Sequence, residues 1–218
     1  RLSRPGFGGF EGDWRMILGV PPRAPRVTHG RPRPLGPLAA ATVALCVLAG
    51  PVLAQDAGRD HGRHGAYAVK AGYLTKLTPF VAWPDSAFES PSSPFRLCVG
   101  GHDPFGPVID RVTRGRRVGD HPMTVVRLPT VAKGADCHML FVSSSRAQLP
   151  QQMVAAVAGR PVLTVADERL DAPGAMIQFV PVDGRLRFEI RAEAAQTEGL
   201  VLSSKLLSLS LAPRGGGR

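Results

Sequence analysis

The side chains in this chain best suited to chemistry are Cys98, Cys137, a scatter of histidines and three consecutive serines. Their spacing limits what they can do. Zinc takes three or four Cys, His or carboxylate ligands, usually delivered in closely spaced pairs. Cys98, Cys137, His102 and His138 have the right atom types, but no C-x-x-C or H-x-x-x-H spacing joins them. His61 and His64 sit in a polar, Gly-rich stretch without a cysteine beside them, which reads as solvated. Ser143, Ser144 and Ser145 follow an apolar run, and His102, His121 or His138 with Asp103 or Asp120 would complete a Ser-His-Asp set on paper. A nucleophile elbow needs G-x-S-x-G, and these serines lack the glycines. The loop over residues 100–106 invites a phosphate reading, because backbone N–H groups at a helix start attract anions. It has neither the G-x-G-x-x-G spacing nor the Lys-Ser/Thr pair that holds a nucleotide and Mg²⁺, so it reads as a strand-to-helix turn. Arg114, Arg116 and Arg117 lie at a predicted helix end, where they complement the helix dipole. No interleaved aromatics make them a nucleic-acid site. The expectation is no catalytic residue, no metal site and no cofactor.

Charge and targeting signals support this. The net charge is +10, but residues 1–54 carry seven Lys+Arg against two Asp+Glu and so hold half of it. The remainder is too dilute for a DNA binder. Arg23, Arg26, Arg31 and Arg33 precede an apolar run over residues 38–49. That run is too short to span a bilayer and has the length of a secretory h-region. Val52 and Ala54 place modest or small residues at the −3 and −1 positions, so signal cleavage after Ala54 is expected. Residues ahead of Met16 read as translation upstream of the true start. Cys46 follows Leu45, not a small residue, and is no lipoprotein site. Cleavage would leave Cys98 and Cys137 in an exported chain, as one disulfide or as two buried thiols.

The positioning elements follow from periodicity. Hydrophobic residues make up 44% and charged residues 20%, enough for a core in a chain of 218 residues. Residues 55–66 read as a flexible leader. Val69, Tyr73, Leu77 and Phe80 mark one face of an amphipathic helix, which Pro79 should kink or end. Trp83-Pro84 leads into a Ser- and Pro-rich loop. Strands over 95–100, 123–128, 137–142 and 161–165 alternate with two helices. The first is capped by Asp103 with Pro104 in its first turn; the second covers 149–157. Strands over 176–182 and 186–190 flank Asp183-Gly184, a strong hairpin turn. The segment 192–209 reads as helix bent near Gly199, and 212–218 as a disordered end. The fold class is α/β: a single domain over 67–211, a mixed sheet flanked by helices with a terminal antiparallel hairpin.

The order of these blocks carries a resemblance. Val69-Lys70-Ala71-Gly72-Tyr73-Leu74 leads to Phe80 and Trp83-Pro84. Phe95-Arg96-Leu97-Cys98-Val99-Gly100 leads to Asp103-Pro104-Phe105-Gly106. Cys137-His138-Met139-Leu140-Phe141-Val142 leads to the three serines. Then come Pro161-Val162-Leu163-Thr164-Val165-Ala166-Asp167, Gly174-Ala175-Met176-Ile177-Gln178-Phe179, Phe188-Glu189-Ile190 and Gly199-Leu200-Val201-Leu202-Ser203-Ser204-Lys205-Leu206-Leu207. Together, over about residues 67–209, they resemble the YfiR family, also called HmsC-like. The resemblance implies a periplasmic protein, commonly a homodimer. Its better-known members bind the periplasmic domain of an inner-membrane diguanylate cyclase and hold that enzyme off. Lower cyclic di-GMP then restrains exopolysaccharide and biofilm formation. It also implies that Cys98 and Cys137 form a disulfide whose oxidation state affects the repressor. Such a bond stabilises by about 3–4 kcal/mol. Three departures stand out: Pro79 in the opening helix, Arg191 where the family usually has Asn, and no second cysteine pair.

Three functions follow as expectations. A docking repressor predicts an exposed apolar patch, to which Trp83, Leu206 and Leu207 could contribute if they are not core. A periplasmic small-ligand sensor predicts a pocket at the 100–106 loop. A hydrolase predicts a serine within hydrogen-bond reach of a histidine.

Overall fold

The computed structural model describes residues 54–211, with side chains from Gly65 onward. The expected signal segment ahead of Ala54, Cys46 within it, the side chains of His61 and His64, and the 212–218 tail lie outside the described residues.

The elements are α1 (Ala54–Leu77), β1 (Val81–Ala82), β2 (Phe95–Gly100), α2 (Pro107–Thr113), β3 (Arg117–Val118), β4 (His121–Leu128), β5 (Met139–Val142), α3 (Pro150–Ala156), β6 (Leu163–Ala166), β7 (Ile177–Val182), β8 (Arg185–Ile190), α4 (Ala192–Thr197), β9 (Val201–Leu202) and α5 (Ser204–Leu207). Seven strands form one sheet in the order β3-β4-β2-β5-β6-β7-β8, and β1 pairs with β9 in a separate two-stranded antiparallel sheet. Neighbours from β4 to β7 are parallel; β3 and β8 close the two edges antiparallel. This is the mixed α/β architecture that the alternation of strands and helices predicts.

Side chains on a strand point alternately to its two faces. Phe95, Leu97, Val99, Met139, Phe141, Leu163 and Val165 enter one core with Leu74 of α1, Ile109 of α2, Ala195 of α4 and Leu206 of α5. Cys98, Leu140, Val142 and Ala166 enter a second core, covered by Met153 of α3. Burial on both faces explains why these strands read as unbroken apolar runs.

The structure corrects several local expectations. Helix α1 begins at Ala54, so its backbone runs through the stretch expected to be a leader. Its buried face is Lys70, Ala71, Leu74 and Leu77, whereas Val69 is 53% exposed. The small Ala71 lets the helix approach the sheet, and Tyr73 lies at the margin, edge-on to Phe188 at 6.1 Å. The helix ends at Leu77, where a 3₁₀ turn (Thr78–Phe80) takes over with Pro79 at its start. Pro79's missing N–H costs little at that position. Pro107, not Pro104, opens α2, and Asp103 caps the preceding turn instead, its Oδ1 accepting from the N–H groups of Phe105 and Gly106. The hairpin turn forms as expected, with positive φ at both Asp183 (49°) and Gly184 (69°). The tail is not one bent helix: α4 ends at Thr197, Gly199 just beyond it turns the chain with φ 77°, and β9 then returns to pair with β1. Two-residue strands such as β3 and β9 show no periodicity, which is why the sequence hides them.

Candidate functional site

β2 and β5 lie side by side, Leu97 opposite Met139. Cys98 of β2 and Cys137, two residues ahead of β5, are joined as a disulfide with Cα atoms 5.8 Å apart. Both residues are buried, at 0% and 3% exposure, among Val131, Leu140 and Met153. The loop that delivers Cys137 is braced. Arg96 pairs with the carboxylate of Asp136, and the Arg160 guanidinium donates to the carbonyls of Gly134 and Ala135.

His138, next to Cys137, holds the other side of the sheet. Its Nδ1 accepts from the Arg96 backbone N–H at 3.0 Å, so its Nε2 carries the proton and donates to the Ala87 carbonyl at 3.0 Å. Burial lowers the His138 pKa below the usual histidine value, which keeps the ring neutral. Phe88 stacks on the rings of both His121, at 3.6 Å, and His138, at 4.6 Å. Trp83 packs edge-on to Phe95 at 4.9 Å and its Nε1–H donates to the His138 carbonyl at 3.0 Å. The Trp-Pro segment and the loop after it are thereby fastened to β2 and β5 through one histidine, its carbonyl holding Trp83 and its ring Ala87 and Phe88.

The 100–106 loop is fixed from β4. Arg127 donates from Nε to Asp103 at 2.7 Å, from its terminal nitrogens to both carboxylate oxygens of Asp110, and to the Gly106 carbonyl at 3.0 Å. The hydrogen bonds from Arg127 hold the Asp110 carboxyl below the usual carboxylate range.

The other candidate residues separate. Ser143 is buried, with its N–H donating to the Gly100 carbonyl. Both ring nitrogens of His138 are engaged by backbone, and His121 Nδ1 lies 2.8 Å from the Ser93 carbonyl. His102, Ser144 and Ser145 line one depression at the ends of β2 and β5, but among the described residues no serine hydroxyl is hydrogen-bonded to a histidine ring, the contact a hydrolase needs. Asp103 is held by Arg127, and Asp120 is exposed in the turn between β3 and β4. Cys98 and Cys137 are spent on each other, and the described residues contain no group of three or more His, Cys, Asp or Glu that could hold a metal. Arg114, Arg116 and Arg117 are exposed just past α2. Leu206 is core at 1% exposure, Trp83 is half-buried, and Leu207 is partly exposed.

One cluster is not legible in the sequence. Lys70 of α1 is 2% exposed and its Nζ lies 2.5 Å from Asp167 Oδ1 and 3.5 Å from Glu168. The Tyr67 hydroxyl donates to the other Asp167 oxygen at 2.7 Å, and Lys70 Nζ sits 4.4 Å above the Tyr67 ring. Burial, reinforced by the Asp167 hydrogen bond, pushes the Tyr67 pKa up. A lysine beside Ala71 and Leu74 and an aspartate directly after a buried strand were the available signals. Their partnership across 97 positions was not.

A cystine-braced α/β sheet, covered on both faces and with its polar side chains fixing loops, defines an α/β domain with no assembled catalytic set among the described residues. The YfiR/HmsC-like family model matches residues 67–211, and the chain belongs to that family, one of periplasmic repressors of diguanylate cyclase. No individual curated protein matched the chain. Among the described residues, no helix is long and apolar enough to cross a membrane.

Proposed function

We propose that this protein is exported to the periplasm, with cleavage after Ala54, and binds the periplasmic domain of an inner-membrane diguanylate cyclase. Bound repressor favours the inactive cyclase and so lowers cyclic di-GMP and biofilm output, a shift of population rather than a chemical step. It acts as a regulator, as its family does, and as a homodimer. The match over 67–211 carries this reading, and the Cys98–Cys137 bond is the group on which its redox-sensitive form would act. Loss of the bond removes a constraint worth about 3–4 kcal/mol and releases the cyclase by depleting folded repressor.

Cellular cyclic di-GMP with and without the gene tests the reading. Deletion should raise it, and the exported protein should restore it. No change while the protein is demonstrably made would overturn the assignment. Equal repression by the Cys98→Ala, Cys137→Ala variant would remove only the redox element.

A further inference from the structure

The order of the sheet creates a second place for chemistry. From β2 the chain passes through α2 to β4 on one side, and then returns to β5 on the other side of β2. The loop leaving β2 runs to α2 on one face, where Ile109 is core, and the loop leaving β5 runs to α3 on the opposite face, where Met153 is core. Loops that part in this way open a crevice at the carboxyl ends of their strands, the usual ligand position in open α/β sheets. Here a depression of about 710 Å³ occurs there, lined by Gly101, His102, Pro129, Ser144, Ser145 and Arg146.

Its two walls are tied to each other. The His102 N–H donates to the Ser144 carbonyl at 2.8 Å. Gly101 has φ 88°, and a Cβ there would stand 2.6 Å from that same carbonyl, so only glycine permits this approach. Arg127 and the Asp103 turn fix the rest of the loop.

Its unspent groups share one chemistry. His102 and Arg146 are exposed, and neither side chain has a hydrogen bond or ion pair among the described residues. The Ser144 hydroxyl donates to nothing there either. No carboxylate lines the depression, because Asp103 is held by Arg127. The ends of β5 and β6 differ: the Asp167 backbone N–H donates to the Val142 carbonyl, and its carboxylate is occupied by Lys70.

We propose that the depression between the β2 and β5 loops binds a small oxyanion-bearing ligand, a carboxylate or phosphate held by Arg146, His102 and Ser144. Arg146 supplies a planar fork of donors matched to two oxyanion oxygens. His102 and the Ser144 hydroxyl complete the cradle, and Pro129 offers an apolar wall to the ligand's body. The site is independent of the cyclase reading and stands or falls without it.

The test is an amide and imidazole chemical-shift titration of the full chain with inorganic phosphate, phenyl phosphate and benzoate at constant ionic strength set with chloride. Saturable shifts at Gly101, His102 and residues 144–147 are expected, weakened at least about tenfold by Arg146→Ala and unchanged by Arg116→Ala. Arg146 is exposed, so its variant should keep the parent's melting temperature. Response to phosphates alone or benzoate alone would fix the oxyanion's source within the same site. Absence of saturable shifts there, equal response in Arg146→Ala, or shifts spread over exposed arginines would overturn the proposal.

Discussion

Lys70 shows how one residue can matter more than its type suggests. A charge at 2% exposure is tolerable only because Asp167, Glu168 and the Tyr67 ring face it. Lys70→Met leaves the Asp167 carboxylate buried without its cation and should cost about 3–5 kcal/mol in urea unfolding. Adding Asp167→Asn removes the orphaned charge and should recover part of that loss. A single-variant cost below about 1 kcal/mol would mean the pair behaves as a solvated one. His138 makes a second prediction. Its folded pKa is lowered by burial, with Asp136, Arg96 and His121 as the charged or titratable groups around it. The unfolded chain therefore binds a proton that the folded chain refuses. Stability from this residue is flat above the ordinary histidine pKa of about 6.5 and falls as pH drops below it. His138→Phe should flatten that acid limb in unfolding midpoints measured across pH. It should also cost about 1–3 kcal/mol at neutral pH, because Arg96 N–H and the Ala87 carbonyl lose their partner.

Among the elements, helix α1 separates what pattern can and cannot say. Val69, Tyr73, Leu77 and Phe80 are correctly spaced for a helical face, and a helix is there. The sheet keeps Leu77 but otherwise selects Ala71 and Leu74, one residue further round, because a small residue lets two layers approach closely. Leu74→Ala should thus cost about 2–5 kcal/mol, whereas Val69→Ser should stay within about 0.5 kcal/mol. Reversed costs in denaturant melts would restore the face read from periodicity. The strand β2 and the Asp183-Gly184 hairpin were legible because their signals are local: an apolar run of strand length and a turn pair that accepts positive φ. β9 was not, since its two residues are a strand only by virtue of β1, paired from the far end of the domain.

At the scale of the whole molecule, the disulfide joins β2 to the segment leading into its neighbour β5 and lies wholly within one core. Reductant reaches the sulfurs only when that core opens. Native protein should therefore resist thiol reductants, with reduction accelerating as urea approaches the unfolding midpoint. Free-thiol counts over time would measure this, and rapid reduction of native protein would show a local opening route. Replacing both cysteines with alanine should lower stability by about 3–4 kcal/mol and the melting temperature by roughly 10 °C.

The sequence by itself determined the α/β class, most central strands, the two cysteines and the resemblance to a family, because strand runs, turn residues and block order are written locally. Tertiary structure decided which face of α1 is buried, that Asp103 answers to Arg127, and that Lys70 meets Asp167. It also decided that the serines stand apart from His138. Each of these depends on closing long loops to bring distant polar groups together. Pairing of that kind is selected by burial, where an unpaired polar group is expensive, and not by any spacing along the chain.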